Sequence, residues 1–159
     1  MNAAVLTVSD GVARGEREDA SGDLLAGLLA ADGYEVGRRV VPDERQAIAD
    51  ALRALADEAR LVLTTGGTGL APRDVTPEAT EDVVERLAVG IAEALRADSR
   101  AKTPHGLLSR GVAGTVGSAL VVNLPGSPGG CRDGYGVLRP ALEHALELLA
   151  EETTEHVQT

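Results

Sequence analysis

Residues 61–80 contain the strongest chemical pattern of the chain. The segment opens with the apolar run LVL at 61–63, which has the length and residue types of a buried strand. It continues as TTGGTG at 64–69, where three of the last four residues are glycines that permit positive φ angles and a close approach of backbone N–H groups to a ligand. Such a loop at the carboxyl end of a strand is where open α/β sheets bind nucleotides and phosphates.

A charged pair and a helix start follow the glycines. Arg73 and Asp74 are adjacent, and Thr76 is a predicted helix N-cap, with Pro77 at the first helical position and Glu78 near the positive end of the helix dipole. The glycines alone are equally typical of a tight turn. Together with the charged pair and the helix, they predict an anion-handling site.

Alternating strands and helices are predicted to position this segment. Apolar runs predict strands at 3–8, 61–63 and 119–122, and 34–41 can form a further strand after the glycine that ends the preceding helix. Apolar residues at helical spacing predict helices at 24–32, at 45–59, from about 77 with a continuation or restart towards 95, and at 138–150. Residues 98–118 are predicted to form a hairpin or loop. The alternation predicts an α/β fold in one domain over 1–150, with a largely parallel sheet covered by helices on both faces and a polar tail at 151–159.

The loops after these strands carry polar side chains that the fold is expected to bring together. Ser9 and Asp10 follow the first strand, Asp43 the second, the glycine loop the third, and 123–128 the fourth. The carboxyl ends of parallel strands share one edge of a sheet, so we expect these loops to converge on one crevice.

Composition excludes several classes of partner. A net charge of −10 argues against nucleic acid and anionic membranes, but not against a small anion that enters with a divalent metal. The single cysteine, Cys131, excludes an intramolecular disulfide and is expected to be a small buried residue. The sequence shows no signal peptide and no run of 18 apolar residues, which predicts a cytoplasmic protein.

Familiar catalytic motifs are absent. The sequence lacks GxGxxG and GxxxxGK[ST], and its only lysine lies far along the chain from the glycine loop. His105, His144 and His156 lack metal-ligand spacing, although His105 could line the crevice. Ser127 is not in a nucleophile elbow, because Pro125 occupies the position of the first glycine.

Seven segments, in this order, resemble the Mog/MoaB family of molybdopterin adenylyltransferases and their relatives, which include the G domain of gephyrin. They are TVSD at 7–10, DASG at 19–22, PDE at 42–44, TTGGTG at 64–69, PRDVTPEAT at 72–80, LSR at 108–110 and NLPGSP at 123–128. The resemblance covers essentially the whole chain and implies a three-layer α/β/α sandwich that assembles as a homotrimer.

The resemblance also implies a reaction. The terminal phosphate of molybdopterin would attack the α-phosphate of MgATP, giving adenylylated molybdopterin and pyrophosphate ahead of metal insertion by a possible partner protein. The two essential aspartates of the family would correspond to Asp43 and Asp74, as catalytic residues and Mg²⁺ ligands. The alternatives are a helix N-cap for Asp43 and a salt bridge to Arg73 or a neighbouring arginine for Asp74.

Other positions are implied to bind the substrates. The loop glycines would offer N–H groups, Ser109 and Arg110 would hold the molybdopterin phosphate, and 123–127 would wall the nucleotide side. The alternatives are a polar turn residue for Ser109, a solvated arginine for Arg110, and a helix or turn cap for Ser9 and Asp10. The implied substrate-binding residues are Ser9, Asp10, Thr65, Gly66, Gly67, Thr68, Gly69, Arg73, Ser109, Arg110, Asn123, Pro125, Gly126 and Ser127.

The chain departs from the family pattern at two places and leaves two rival functions open. Val89 and Gly90 stand where relatives commonly have Pro-Gly, and Gly11 stands where an arginine is frequent. The rivals are a non-catalytic trimeric molybdopterin-binding or scaffold protein, and a CinA-like nucleotide pyrophosphate hydrolase. Retention of both aspartates and the full glycine loop disfavours the first, and NLPGSP followed directly by a terminal helix disfavours the second.

Overall fold

The computed structural model describes the backbone of residues 2–157 and the side chains of residues 2–151. Its strands are β1 Asn2–Val8, β2 Glu35–Val41, β3 Leu61–Thr65, β4 Arg86–Leu87, β5 Ala113–Val116 and β6 Ala119–Leu124. Its α-helices are α1 Asp10–Ala13, α2 Ala20–Ala31, α3 Arg45–Glu58, α4 Thr76–Glu81, α5 Val89–Lys102 and α6 Pro128–Val157, and a 3₁₀ helix spans Pro104–Leu108. None of the helices within residues 2–157 is long and apolar enough to cross a lipid bilayer.

The strands form one sheet in the order β2-β1-β3-β6-β5-β4. The first four are mutually parallel, and β5 runs antiparallel to both β6 and β4. The register pairs Val8 with Val41, Thr7 with Thr65, and Thr65 with Leu124. The carboxyl ends of the four parallel strands therefore lie level at one edge, as the sequence predicts.

Helices cover both faces of the sheet. Alternate residues of the central strands point to opposite sides, so that Val5 and Leu63 pack with α2 and α6, whereas Leu6 and Val62 pack with α3 and α4. The predicted α/β/α sandwich with a mostly parallel sheet is confirmed.

The predicted helix from 77 towards 95 is divided. Helix α4 ends at Glu81, the two-residue strand β4 pairs with β5, and α5 restarts at Val89. Leu87, an apolar residue of the predicted helix, is 58% exposed. A two-residue strand carries no periodic signal of its own, and only its pairing with β5 defines it.

Two helix starts also differ from prediction. Helix α4 has Val75 at its N-cap, while the buried Thr76 hydroxyl donates a hydrogen bond to the Gly66 carbonyl. Helix α6 begins at Pro128, ten residues before the predicted start, where the Ser127 hydroxyl accepts the Gly130 N–H. It continues through Val157, so the predicted break after residue 150 is wrong. Residues 158 and 159 of the predicted tail lie outside the described backbone.

Candidate active site

The glycine loop is pressed against the strand ends. Gly66 has φ +102°, and a Cβ there would lie 2.3 Å from the Val8 carbonyl oxygen. Gly67 has φ +70°, and a Cβ there would lie 2.3 Å from the Thr76 hydroxyl and 3.4 Å from Asp43 Oδ1. Both positions require glycine because of the backbone conformation and the space available.

Asp10 and Asp43 join the loops after β1 and β2. The Asp10 N–H donates to Asp43 Oδ2 at 2.8 Å, and the Asp43 N–H donates to Asp10 Oδ1 at 3.0 Å. Helix α3 has Glu44 at its N-cap, so Asp43 does not serve as the cap. The N-cap alternative for Asp43 is therefore wrong.

Arg73 binds Asp10 rather than its neighbour Asp74. Its Nε donates to Asp10 Oδ2 at 2.6 Å, and its Nη2 donates to Asp10 Oδ1 at 3.0 Å. The loop after β3 is thereby tied to the loop after β1. This bidentate contact with Asp10 rules out the alternative in which Arg73 forms a salt bridge with Asp74.

The two carboxylates of the pair have opposite pKa shifts. Hydrogen bonds from Arg73, and then from the Asp43 N–H, lower the pKa of Asp10 to about 2. Burial raises the pKa of Asp43, and the nearby charges of Asp10 and Asp74 raise it further, against the hydrogen bond from the Asp10 N–H. A divalent cation would relieve this crowding of negative charge.

Asp74 is held by its own loop. Its Oδ2 accepts the Ala71 N–H at 3.1 Å, and its N–H donates to the Ala71 carbonyl at 2.9 Å. A Cβ at Gly69 would lie 2.9 Å from Asp74 Oδ2, so this glycine provides room for the carboxylate.

A pocket of about 470 Å³ borders the glycine loop. Helix α5, the 3₁₀ helix and the start of α6 complete its wall. Six of the predicted site residues line it: Thr68, Gly69, Ser109, Asn123, Pro125 and Ser127. Its volume is in the range of small-molecule sites. Asp43 and Asp74 do not line it, and we refer to the two aspartates as the acidic side of the site and to this cavity as the pocket side.

Sequence reasoning missed part of the pocket wall. Arg96 and Lys102 of α5 line it together with His105, which was the one histidine predicted to reach the crevice. Lys102 is far from the glycine loop along the chain, yet both line one cavity. The Lys102 ammonium forms an ion pair with Asp98 at 2.8 Å. The basic residues in the last turn of α5 were the available signal.

Three predicted substrate-binding residues have protein partners. The Asn123 amide donates at 3.0 Å to the Thr64 and Thr80 hydroxyls, and its oxygen accepts the Val112 N–H. The buried Thr65 hydroxyl donates to the Pro125 carbonyl at 2.7 Å. These contacts hold β3, β6 and the following loops together.

The residues Ser9 and Gly126 have supporting positions. The Ser9 hydroxyl accepts the Val12 N–H at 3.2 Å and caps the short helix α1. Gly126 packs against the glycine loop, since a Cβ there would lie 3.4 Å from the Gly66 Cα. Both residues therefore support the loops of the site.

Arg110 also has protein partners. Its guanidinium contacts the carbonyls of Gly69 and Asp74 and the carboxylate of Glu78. The hydrogen bond from Arg110 lowers the pKa of Glu78, so this carboxylate stays charged.

Within the residues whose side chains are described, no three His, Cys, Asp or Glu side chains are grouped to hold a metal ion by themselves. Mg²⁺ commonly takes only one or two protein carboxylates and completes its shell with water and substrate phosphates. The hard oxygen donors of Asp43 and Asp74 fit that kind of site.

Comparison with known proteins gives a consistent assignment. A family profile described as "Probable molybdopterin binding domain" matches residues 4–144. The molybdenum cofactor synthesis protein cinnamon of Drosophila melanogaster is 37% identical in an alignment of 155 residues that covers 94% of this chain and 26% of that protein. The molybdopterin adenylyltransferase of Helicobacter pylori is 38% identical in an alignment of 150 residues that covers 91% of this chain and 85% of that protein. The chain thus spans about a quarter of cinnamon but most of the bacterial relative.

A solved structure agrees with both sequence comparisons. The crystal structure of the molybdopterin biosynthesis enzyme MoaB from Thermus thermophilus superposes with a TM-score of 0.87 at 47% identity, covering 93% of this chain and 95% of that one. The chain therefore belongs to the molybdopterin-binding family of the MoaB and Mog proteins.

Proposed function

We propose that this protein is a Mg²⁺-dependent molybdopterin adenylyltransferase. It would join the terminal phosphate of molybdopterin to the α-phosphate of ATP, with breakage of the bond between the α-phosphate and the departing pyrophosphate. The observation that carries the proposal is the glycine loop, which lies next to both aspartates and borders a pocket of about 470 Å³.

The acidic side would handle the phosphates. Mg²⁺ bound there would neutralise phosphate charge that two carboxylates would otherwise repel. Asp43, whose pKa is raised by burial, and Asp74, fixed by the Ala71 N–H, are the proposed ligands. In phosphoryl-type transfer the protein mainly positions groups and stabilises charge, so no protein nucleophile is needed.

The pocket side would hold the organic parts of the substrates. Thr68 and Gly69 border it with the loop backbone, and Ser109 and Ser127 add hydroxyls. Arg96 and Lys102 offer N–H donors along the same wall, where Lys102 is balanced by its ion pairs with Asp98 and Asp133. The pocket and the aspartates would therefore bring the two reacting phosphates together at the glycine loop.

We also propose a homotrimer, whose product would pass to a molybdenum-inserting protein. The assembly is supported by large apolar side chains that are exposed at the surface, with Leu107 66% and Leu87 58% exposed. Light scattering coupled to size-exclusion chromatography would test it, and a monomer at micromolar concentration would contradict it.

The function is tested with purified protein, molybdopterin and ATP, with and without Mg²⁺, followed by chromatography. Adenylylated molybdopterin should form with the wild type and Mg²⁺, and turnover should fall by at least about a hundredfold in Asp43→Asn and Asp74→Asn. Arg139→Gln is the matched control, because Arg139 pairs with Asp32 at the end of α2, away from the glycine loop. Tight molybdopterin binding without product would leave the scaffold function standing.

A further inference from the structure

We propose that Arg110 is a positioning residue that holds the Asp74 loop in place, rather than a ligand of the substrate phosphate. This inference rests on the proposed function only for the role of Asp74, because the contacts themselves are independent of activity. Resemblance to the family had assigned Arg110 to the phosphate.

The Arg110 side chain bridges both ends of the loop that carries Asp74. Its Nε donates to the Gly69 carbonyl at 2.8 Å, and its Nη2 donates to the Asp74 carbonyl at 2.8 Å. The planar guanidinium therefore closes residues 69–74 into a ring. A lysine could not reproduce this contact, because its ammonium is a point charge without a rigid fork of donors.

Two further contacts fix Arg110 itself. Its Nη1 pairs with Glu78 Oε1 on the first turns of α4, which follows the Asp74 loop. Its backbone N–H donates to the Thr68 carbonyl at 2.9 Å, immediately before the bridged loop. Arg110 is thus held by contacts spread over 68–78.

The ring determines where the Asp74 carboxylate points. Asp74 Oδ2 is bound to the Ala71 N–H inside the closed loop, and Gly69 leaves the space that this carboxylate occupies. Loss of the bridge would free two carbonyls and the loop between them. The Asp74 carboxylate would then sample orientations that do not suit a metal ion.

All three guanidinium nitrogens of Arg110 have acceptors within the protein. These bonds use three of the five guanidinium N–H groups of a side chain that is 35% exposed, and a phosphate that competed for them would have to replace charge-assisted and carbonyl hydrogen bonds. The pairing with Glu78 also cancels much of the positive charge that a phosphate would need. The contacts therefore favour a structural hold on the loop.

Hydrogen exchange tests the loop without any turnover. In Arg110→Gln, the amides of Asp74 and Thr76, which bond to the Ala71 and Gly67 carbonyls, should exchange at least about tenfold faster than in the wild type. The amides of β3 should be unchanged, which shows that the variant is folded, and Arg139→Gln should leave all of them unchanged. Unchanged loop exchange in folded Arg110→Gln would overturn the proposal.

Kinetics test whether Arg110 acts through Asp74. Arg110→Gln and Arg110→Lys should both lower kcat by about ten- to a hundredfold with little change in the KM for molybdopterin. In an Asp74→Asn background, Arg110→Gln should cause no further loss, because the two changes disable one unit. If Arg110 instead bound the substrate phosphate, Arg110→Gln should raise the KM for molybdopterin and Arg110→Lys should restore part of the activity. The effects of Arg110→Gln and Asp74→Asn should then multiply. That pattern would overturn the proposal. If the wild type shows no turnover, the proposed function fails, while the exchange experiment still decides the hold on the loop.

Discussion

Asp10 and Asp43 each accept a hydrogen bond from the backbone N–H of the other, at 3.0 Å on Asp10 Oδ1 and 2.8 Å on Asp43 Oδ2. These two reciprocal hydrogen bonds link the ends of two adjacent parallel strands, where Val8 and Val41 are in register. They use one oxygen of Asp43 and leave Oδ1 facing Gly67. Asp10 thereby sets the orientation of a proposed metal ligand.

Removal of the Asp10 carboxylate should therefore weaken the binding of Mg²⁺ during turnover. Asp10→Ala is expected to raise the Mg²⁺ concentration for half-maximal turnover by about ten- to a hundredfold, because the Asp43 N–H and Arg73 both lose their acceptor. Asp10→Asn keeps the Oδ1 acceptor and should lose less. The measurement is turnover against Mg²⁺ concentration at saturating ATP and molybdopterin. Equal Mg²⁺ curves for Asp10→Ala and the wild type would contradict this role.

The contact between Asp10 and Arg73 predicts a defined acid-sensitive window. The folded pKa of Asp10 is about 2, below the ordinary value of 3.8, so the ionised form favours the folded state. That stabilisation is fully present above about pH 4 and is lost as the pH falls towards 2. Urea midpoints of the wild type and Asp10→Asn should differ at pH 7 and converge between about pH 4 and 2. A difference that stays constant through that window would show that the ion pair is not its source.

Two glycine-to-alanine changes, one in the glycine loop and one in helix α2, should have opposite effects on stability. Gly67→Ala should destabilise the protein by about 1–3 kcal/mol and abolish most turnover, because φ is +70° and the new Cβ would meet Thr76 and approach Asp43. Gly27→Ala, on the exposed side of α2 with nothing within 4 Å of a Cβ, should stabilise the protein by about 0.5–1 kcal/mol. Urea unfolding and turnover of both variants test this pair. Retention of stability and activity in Gly67→Ala would mean that the loop tolerates a side chain.

The single cysteine predicts slow thiol chemistry. Cys131 is fully buried, and burial raises its pKa to about 11. Because only the thiolate attacks, reaction with a disulfide reagent at about pH 8 should be more than about a hundredfold slower than for a free cysteine, and should become fast on unfolding in urea. No other thiol contributes to the signal, since Cys131 is the only cysteine of the chain. Rapid labelling of the folded protein would contradict the burial of this thiol.

The sequence was sufficient for β1, β3 and β6 and their loops because each of these strands is a local apolar run that is followed by glycine, proline or a polar residue. Glycine at 66 and 67 marked the positive φ angles that the structure contains. The start of α6 was missed because the glycines at 129 and 130 are typical of a loop, yet Pro128 and the Ser127 cap begin the helix there.

The site was predicted as a set of residues but not as a geometry. The reciprocal hydrogen bonds between Asp10 and Asp43 join residues 33 positions apart in the sequence. The side-chain contacts of Arg110 join residues 32 to 41 positions apart, so no local pattern encodes either set. Lys102 reaches the pocket only through the packing of α5 beside the glycine loop. Such contacts follow from how helices lie on the sheet, which periodicity does not specify.

The most direct test of the proposed transfer follows the α-phosphate of ATP. The wild type would be incubated with molybdopterin, Mg²⁺ and ATP labelled at the α-phosphate, and the label and pyrophosphate would be quantified over time. We expect the label to appear in the pterin product, with one pyrophosphate released for each labelled pterin. Label recovered as free AMP would indicate a nucleotide pyrophosphate hydrolase, and label that stays in ATP while molybdopterin binds would indicate a binding protein. Either result would contradict the proposed transferase.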